Sequence, residues 1–177
     1  MPTLKIIIGC MFSGKSTKIF EMYNTYKNQN MNILLINHQT DTRYGNNVIS
    51  SHDKKQLPCL SCLNLNSITN INNYKKCDVI MIDEAQFFPD LFDFVTKAVD
   101  IDNKDVVIAG LDGDYKKKEF GDILKLIPHC DDVIKLKAKC YYCNIDNAIF
   151  TKRIIDSNEQ FLVGGDDTYK PVCRNHY

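Results

Sequence analysis

The run Gly9-Cys10-Met11-Phe12-Ser13-Gly14-Lys15-Ser16 fits the pattern G-x4-G-K-[ST], and its flanks make that match restrictive. Lys5 to Ile8 is a short apolar run ending at Gly9, as a buried strand would be. From Thr17 onward Ile19, Met22, Tyr23 and Tyr26 recur at spacings of three and four, one face of a helix, and Asn30 is a plausible stop. Asn32 to Asn37 is a second continuous apolar strand. Strand, glycine-rich turn, helix and strand make a βαβ unit with a right-handed crossover. In that setting the glycines let backbone N–H groups turn inward around phosphates, and the helix N-terminus adds partial positive charge. Lys15 is then expected at the β- and γ-phosphates of a nucleotide and the Ser16 hydroxyl on Mg²⁺.

The rest of the chain continues the α/β reading. Residues 38–77 are polar and irregular, and loops are expected there. Asp78 to Asp83 is a third buried strand, Pro89 opens a helix reaching about Asp100, and Asp105 to Asp112 is a fourth strand. Glu119 to Ile127 reads as a short helix before Pro128. From Ile134 to Lys139 apolar residues alternate with lysines, which suits a strand near the sheet edge with one wet face. A boundary is expected there, with residues 1–138 forming a nucleotide-binding domain. Residues 139–177 are too few and too polar for a core of their own, and a metal would explain how they fold.

Two further constellations carry chemistry. The third strand ends in Asp83-Glu84, where a nucleotide-binding sheet needs a carboxylate for Mg²⁺ and where a second carboxylate can act on an attacking hydroxyl. Cys140-x2-Cys143 and Cys173-x2-His176 are two close pairs separated by a loop, the spacing of a structural zinc site. Cys59-x2-Cys62 competes for that role, but its leucine neighbours argue for packing. Cys10, Cys77 and Cys130 read as packing thiols, and His38, His52 and His129 have no partner spacing.

The charge balance narrows the partners. Lys plus Arg and Asp plus Glu number 22 each, so no basic excess points to nucleic acid. No apolar run approaches the roughly 20 residues of a membrane span. The apolar start lacks a cationic leader and a cleavage site, so a cytoplasmic setting with reduced thiols is expected.

Five motifs together resemble the zinc-containing thymidine kinases of the cytosolic and viral type, across nearly the whole chain. They are the glycine-rich loop through Thr17, Asp41-Thr42-Arg43-Tyr44, Asp83-Glu84-Ala85-Gln86-Phe87-Phe88-Pro89-Asp90, Leu111-Asp112-Gly113-Asp114-Tyr115 running on to Phe120, and Gly164-Gly165-Asp166-Asp167-Thr168-Tyr169 between the metal pairs. The resemblance implies a RecA-like P-loop domain and a small C-terminal zinc domain whose long loop closes over the nucleoside as a lasso. It implies transfer of the γ-phosphate of ATP to the 5′-hydroxyl of thymidine, leaving open deoxyuridine as a second substrate, with ATP, Mg²⁺ and structural Zn²⁺ involved. Glu84 would be the general base. Asp83 and Ser16 would handle Mg²⁺, and Asp41, Thr42, Arg43, Ala85 and Gln86 would join the nucleotide site. Met11, Phe87, Leu111, Tyr115 and Phe120 would wall the thymine pocket, supported by Thr151 and Arg153. Gln160, Phe161, Leu162, Val163 and Gly164 would read the base by backbone, and Tyr169 would cover the nucleoside. A homotetramer or homodimer and feedback by dTTP are implied as well, without nucleic-acid or membrane partners. Several features depart from the family pattern: Cys10 where Pro is frequent, Ala85 where Gly is, Tyr115 in place of Phe, His176 where animal members carry Cys, and Lys116-Lys117-Lys118. The competing reading is a RecA-type ATPase touching DNA through its zinc knuckle, for which lysines 116–118, 135, 137 and 139 would be the support.

Overall fold

A computed structural model of the chain describes residues 1–41, 45, 47–50 and 56–177. In order, the elements are β1 (Leu4–Gly9), α1 (Lys15–Asn28), β2 (Ile33–His38), β3 (Val48–Ser50), β4 (Gln56–Pro58), β5 (Leu60–Cys62), α2 (Asn72–Lys76), β6 (Val79–Ile82), α3 (Leu91–Asp100), β7 (Asp105–Gly110), β8 (Asp132–Leu136), β9 (Phe150–Arg153) and β10 (Tyr169–Val172). Six strands form one sheet in the order β5-β2-β6-β7-β1-β8. Every neighbouring pair in it runs parallel.

Alternation along the strands sends side chains into two cores. Ile6, Ile8, Leu34, Ile36, Ile80, Ile82, Val106 and Ile108 face α3, where Phe88, Leu91, Phe94 and Val95 cover them. Ile7, Leu35, Val79, Met81, Val107 and Ala109 point the other way, onto Ile19, Phe20 and Tyr26 of α1. Burial on both faces explains why these strands read as unbroken apolar runs rather than alternating ones. β8 is different. It closes one edge, with Ile134 and Leu136 turned to the α1 core and Lys135 turned to solvent.

Beyond β8 the chain builds a third, small core. β9 and β10 pair antiparallel, a bridge joins Ala138 to Ala148, and Cys140, Val172 and Cys173 pack with both alanines. Cys10 of the glycine-rich loop reaches into the same core.

Three expectations need correction. Residues 38–77 are not simply loop: they hold β3, β4, α2 and β5, and β5 forms the far edge of the main sheet. These strands are only three residues long, too short to leave a periodic signature. The short helix expected at Glu119–Ile127 is a 3-10 segment at Ile123–His129 that includes Pro128. The fourth strand ends at Gly110, two residues early, because the Leu111 N–H turns to the Gln86 side chain. The Cys59/Cys62 pair is resolved by β5: Cys62 packs in the α3 core and Cys59 against the α1 core, on opposite faces of the sheet.

Candidate active site

The carboxyl ends of all six parallel strands share one edge, and a cleft of about 440 Å³ opens there. At its floor β1 runs into the glycine-rich loop. A Cβ on Gly9 would lie 2.6 Å from the Leu136 carbonyl oxygen, so only glycine lets the loop leave the sheet beside β8. Gly14 has φ +85° and caps α1, a conformation that penalises any side chain. No side chain caps the helix at that position, so its first N–H groups face the cleft end of the dipole. The Ser13 hydroxyl is buried with no hydrogen-bond partner among the described residues. Lys15 is buried and its Nζ donates to the Cys10 carbonyl at 2.8 Å. An uncapped helix start, an orphaned hydroxyl and a buried cation together fit a bound polyphosphate.

Beside the loop, β6 ends in the two carboxylates. Asp83 is only 3% exposed. One of its oxygens accepts the Ser16 hydroxyl at 2.7 Å and the other the Glu84 N–H at 2.9 Å. Burial, and then the charge of Glu84, push its carboxyl up to about 6. Glu84 holds φ +52°, a left-handed backbone that a non-glycine residue adopts at a cost. Gln86 holds it in place: its Nε2 donates to Glu84 Oε2 at 2.7 Å while its Oε1 accepts the Leu111 N–H at 2.9 Å. Two glycines leave room for that clamp. A Cβ on Gly110 would sit 2.5 Å from Gln86 Oε1, and one on Gly121 would be 2.1 Å from the Gln86 carbonyl oxygen.

The far side of the cleft is apolar and closed by the segment between β9 and β10. The Phe87 ring meets Phe161 at 4.8 Å and Phe120 at 5.3 Å. Arg153 organises the segment from behind. Its guanidinium donates to the carbonyls of Ser157, Glu159 and Gln160 and to the Tyr169 hydroxyl, and lies 3.7 Å from the centre of the Tyr115 ring. The Tyr169 hydroxyl in turn donates to the Leu162 carbonyl at 2.8 Å. Gly164 is needed for close approach, since a Cβ there would lie 2.4 Å from the Thr168 hydroxyl.

The metal-type cluster lies next to this wall. The ligand atoms of Cys140, Cys143, Cys173 and His176 fall within 4.8 Å of one another. His176 Nδ1 is 3.2 Å from the Cys173 sulfur and 3.5 Å from the Cys140 sulfur, edges a tetrahedral zinc site can accommodate. Burial pushes the Cys140 thiol up, but hydrogen bonds from the backbone of Cys143, Cys173 and Tyr142 more than reverse this and hold it at about 5. For Cys143 the Ile145 N–H pulls downward, yet desolvation and the neighbouring sulfurs leave it above its ordinary value. Three cysteine sulfurs and an imidazole nitrogen so close together are a donor set suited to Zn²⁺.

Comparison with known proteins decides the family. A family model described as thymidine kinase matches residues 2–177. This chain belongs to the thymidine kinase family. A thymidine kinase of Oryza sativa subsp. japonica is 44% identical, with 98% of this chain and 65% of that protein covered, so the chain spans just under two thirds of it. Thymidine kinase a of Arabidopsis thaliana is 42% identical over 97% of this chain and 73% of its own length. The thymidine kinase of Myxoma virus (strain Uriarra) is 37% identical, covering 98% and 95% respectively. Domain III of the Thermotoga maritima replication initiation protein DnaA aligns at TM-score 0.43 and 18% identity, over 76% of this chain and 54% of that one, and adds nothing to the family assignment.

Within this thymidine kinase family member, the cleft residues singled out from sequence fall into four groups. Met11, Phe12, Ser13, Gly14, Lys15, Ser16, Asp41, Glu84, Phe87, Leu111, Tyr115, Thr151, Gln160, Phe161, Leu162, Val163, Gly164 and Tyr169 line the cleft together. Asp83, Ala85, Gln86, Phe120 and Arg153 stand behind that lining: Ala85 is fully buried, and Gln86 reaches Glu84. Gly9 and Cys10 form the loop's root. Thr42 and Arg43 lie outside the described residues. Thr151 takes on a specific task, accepting the Met11 N–H at 3.0 Å and so bracing the glycine-rich loop. Sequence reasoning missed Asp114, whose carboxylate accepts the N–H groups of Lys116 and Lys118 and the Gln160 side chain. The Gly113-Asp114 turn signal could have flagged it. Lys137 and Lys139, which the alternation marked as a wet strand face, and Asp146, which no local pattern marks, also line the cleft.

Two outcomes are expected. The Asp83 carboxyl is raised from about 3.9 in an unfolded chain to about 6. Its burial therefore costs nothing while both states hold the proton, and the cost grows as pH rises through that window. Asp83→Asn should raise the melting temperature of nucleotide-free protein near pH 7.5, by at most about 3 kcal/mol of stability, with the gain vanishing near pH 4, while activity is lost. An unchanged melting temperature near pH 7.5 would contradict the desolvation account. For the cluster, Cys143→Ser should lose zinc measured by atomic emission and Cys59→Ser should retain about one ion per chain; the reverse pattern would refute the assignment.

Proposed function

We propose that this chain transfers the γ-phosphate of ATP to the 5′-hydroxyl of thymidine, giving dTMP and ADP. Family membership over the whole chain carries the reading, and a cleft continuous from the phosphate loop to the aromatic wall supports it. In this reading the N–H groups of the loop from Gly9 to Ser16 hold the phosphates, and Lys15 exchanges the Cys10 carbonyl for phosphate oxygens. Ser16 and Asp83 would hold Mg²⁺, which when bound neutralises phosphate charge. Thymidine lies with its base between Phe87, Leu111, Tyr115 and Phe161. Peptide groups of 160–164 read the base edge, with the Gln160 and Leu162 carbonyls already committed to Arg153 and Tyr169. The 5′-oxygen attacks the γ-phosphorus as the bond to the β-phosphate oxygen breaks. Glu84, held by Gln86, accepts the hydroxyl proton.

Residues 139–177 serve in this proposal as the zinc-bound unit that carries the closing loop. The family likeness extends the proposal to Arg43 and Thr42 at the nucleotide, a homotetramer or homodimer, feedback by dTTP and a place in cytoplasmic salvage of DNA precursors. The DNA-contacting alternative draws no support from its lysines. Lys135 pairs with Asp112 at 2.8 Å, and Lys137 and Lys139 line the cleft itself.

The test separates phosphate binding from proton transfer. Lys15→Ala should abolish thymidine-dependent ADP formation and weaken ATP binding. Glu84→Gln should still bind thymidine while kcat falls on the order of 10²–10⁴-fold. Near-normal turnover by Glu84→Gln would remove Glu84 as the base.

A further inference from the structure

Lys116-Lys117-Lys118 follows Tyr115 and takes no part in the chemistry above. Lys117 stands at φ +62°, and its ammonium lies 3.4 Å from the centre of the Tyr177 ring and 4.7 Å from that of Phe150. The two rings meet edge to face at 5.3 Å. The Tyr177 hydroxyl donates to the Tyr115 carbonyl. Tyr177 directly follows His176 of the metal cluster, and Phe150 opens β9. The strip that carries the Tyr115 wall is thus fastened to the zinc-type unit by a cation between two rings and by one hydroxyl–carbonyl bond. From Tyr115 the connection continues: its ring stacks on Arg153 and its hydroxyl donates to the Ser157 carbonyl at 3.2 Å. That leads into the segment closing the cleft.

We propose that Tyr177 is a positioning residue for the nucleoside: it fixes Tyr115, so that its contact is felt in thymidine affinity and not in phosphate transfer. The proposal rests on the thymidine reading of the cleft. The phosphate loop has a separate brace, Thr151 to Met11, which does not involve Tyr177. Loss of the latch should therefore discriminate between the two substrates.

The experiment is calorimetric titration of thymidine into zinc-loaded full-length protein without ATP, with zinc content and steady-state constants measured in parallel. Tyr177→Ala should keep its zinc, bind thymidine about tenfold more weakly, as loss of a cation–ring contact and a hydrogen bond implies, and leave the KM for ATP within about twofold. Tyr177→Phe keeps the ring over Lys117 and should lose only part of the affinity. Lys117→Met, which leaves the hydroxyl bond intact, should do likewise. These two milder variants carry the test if Tyr177→Ala does not fold. Wild-type binding with equal affinity in the variants would overturn the latch, and so would a parallel loss for thymidine and ATP. A wild-type protein that bound no thymidine would instead overturn the substrate reading, and this one with it.

Discussion

Six strands pointing the same way, with apolar side chains on both faces, leave the molecule one place to gather polar groups. β1 delivers the glycine loop there, β6 delivers Asp83 and Glu84, and β7 delivers Leu111. The parallel ladder therefore does more than stabilise the core: it fixes the spacing between the glycine-rich loop and two carboxylates. That arrangement costs stability locally. Asp83 is buried enough to sit near pH 6, and Glu84 is held in a left-handed turn. Both strains persist because neighbours over-determine them: Ser16 and the Glu84 N–H on one carboxylate, the Gln86 amide on the other.

The cysteine and histidine unit is woven into this site at two points. Cys10 packs among Ala138, Cys140 and Val172, and Thr151 accepts the Met11 N–H, so the unit buttresses the phosphate loop. Tyr177 and Phe150 grip the strip bearing Tyr115, so it also supports the opposite wall. Cys10 suits its position because a small thiol fills the joint, with its sulfur 3.5 Å from the Ala148 carbonyl oxygen.

The long apolar strands and the glycine loop were legible in sequence because burial on two faces and phosphate geometry restrict residue types strongly. The Ile134 alternation correctly marked an edge strand, since only an edge exposes every second residue. Short strands β3 to β5 escaped notice, because three residues cannot display a period. The metal pairs were legible by spacing, yet the same spacing at Cys59 and Cys62 meant packing, and only the strand between them decides which. Least legible were contacts between distant segments. Gln86 clamps Glu84, Thr151 braces the glycine-rich loop, and Lys117 is packed between two rings. Family resemblance pointed to residues that line the cleft, while the contacts that hold them in place are seen only in the structure.

The central claim, a cleft built for thymidine, is exposed most directly by competition among nucleosides at equal concentration with ATP in excess. In the proposed binding mode, peptide groups of 160–164 that meet O2, N3–H and O4 would leave two polar groups unpaired against cytosine, each costing roughly 1–3 kcal/mol, and a purine would not fit. Thymidine should then be phosphorylated efficiently, deoxyuridine comparably or less well, and deoxycytidine and deoxyadenosine very poorly. Equal specificity constants for deoxycytidine and thymidine would contradict the account.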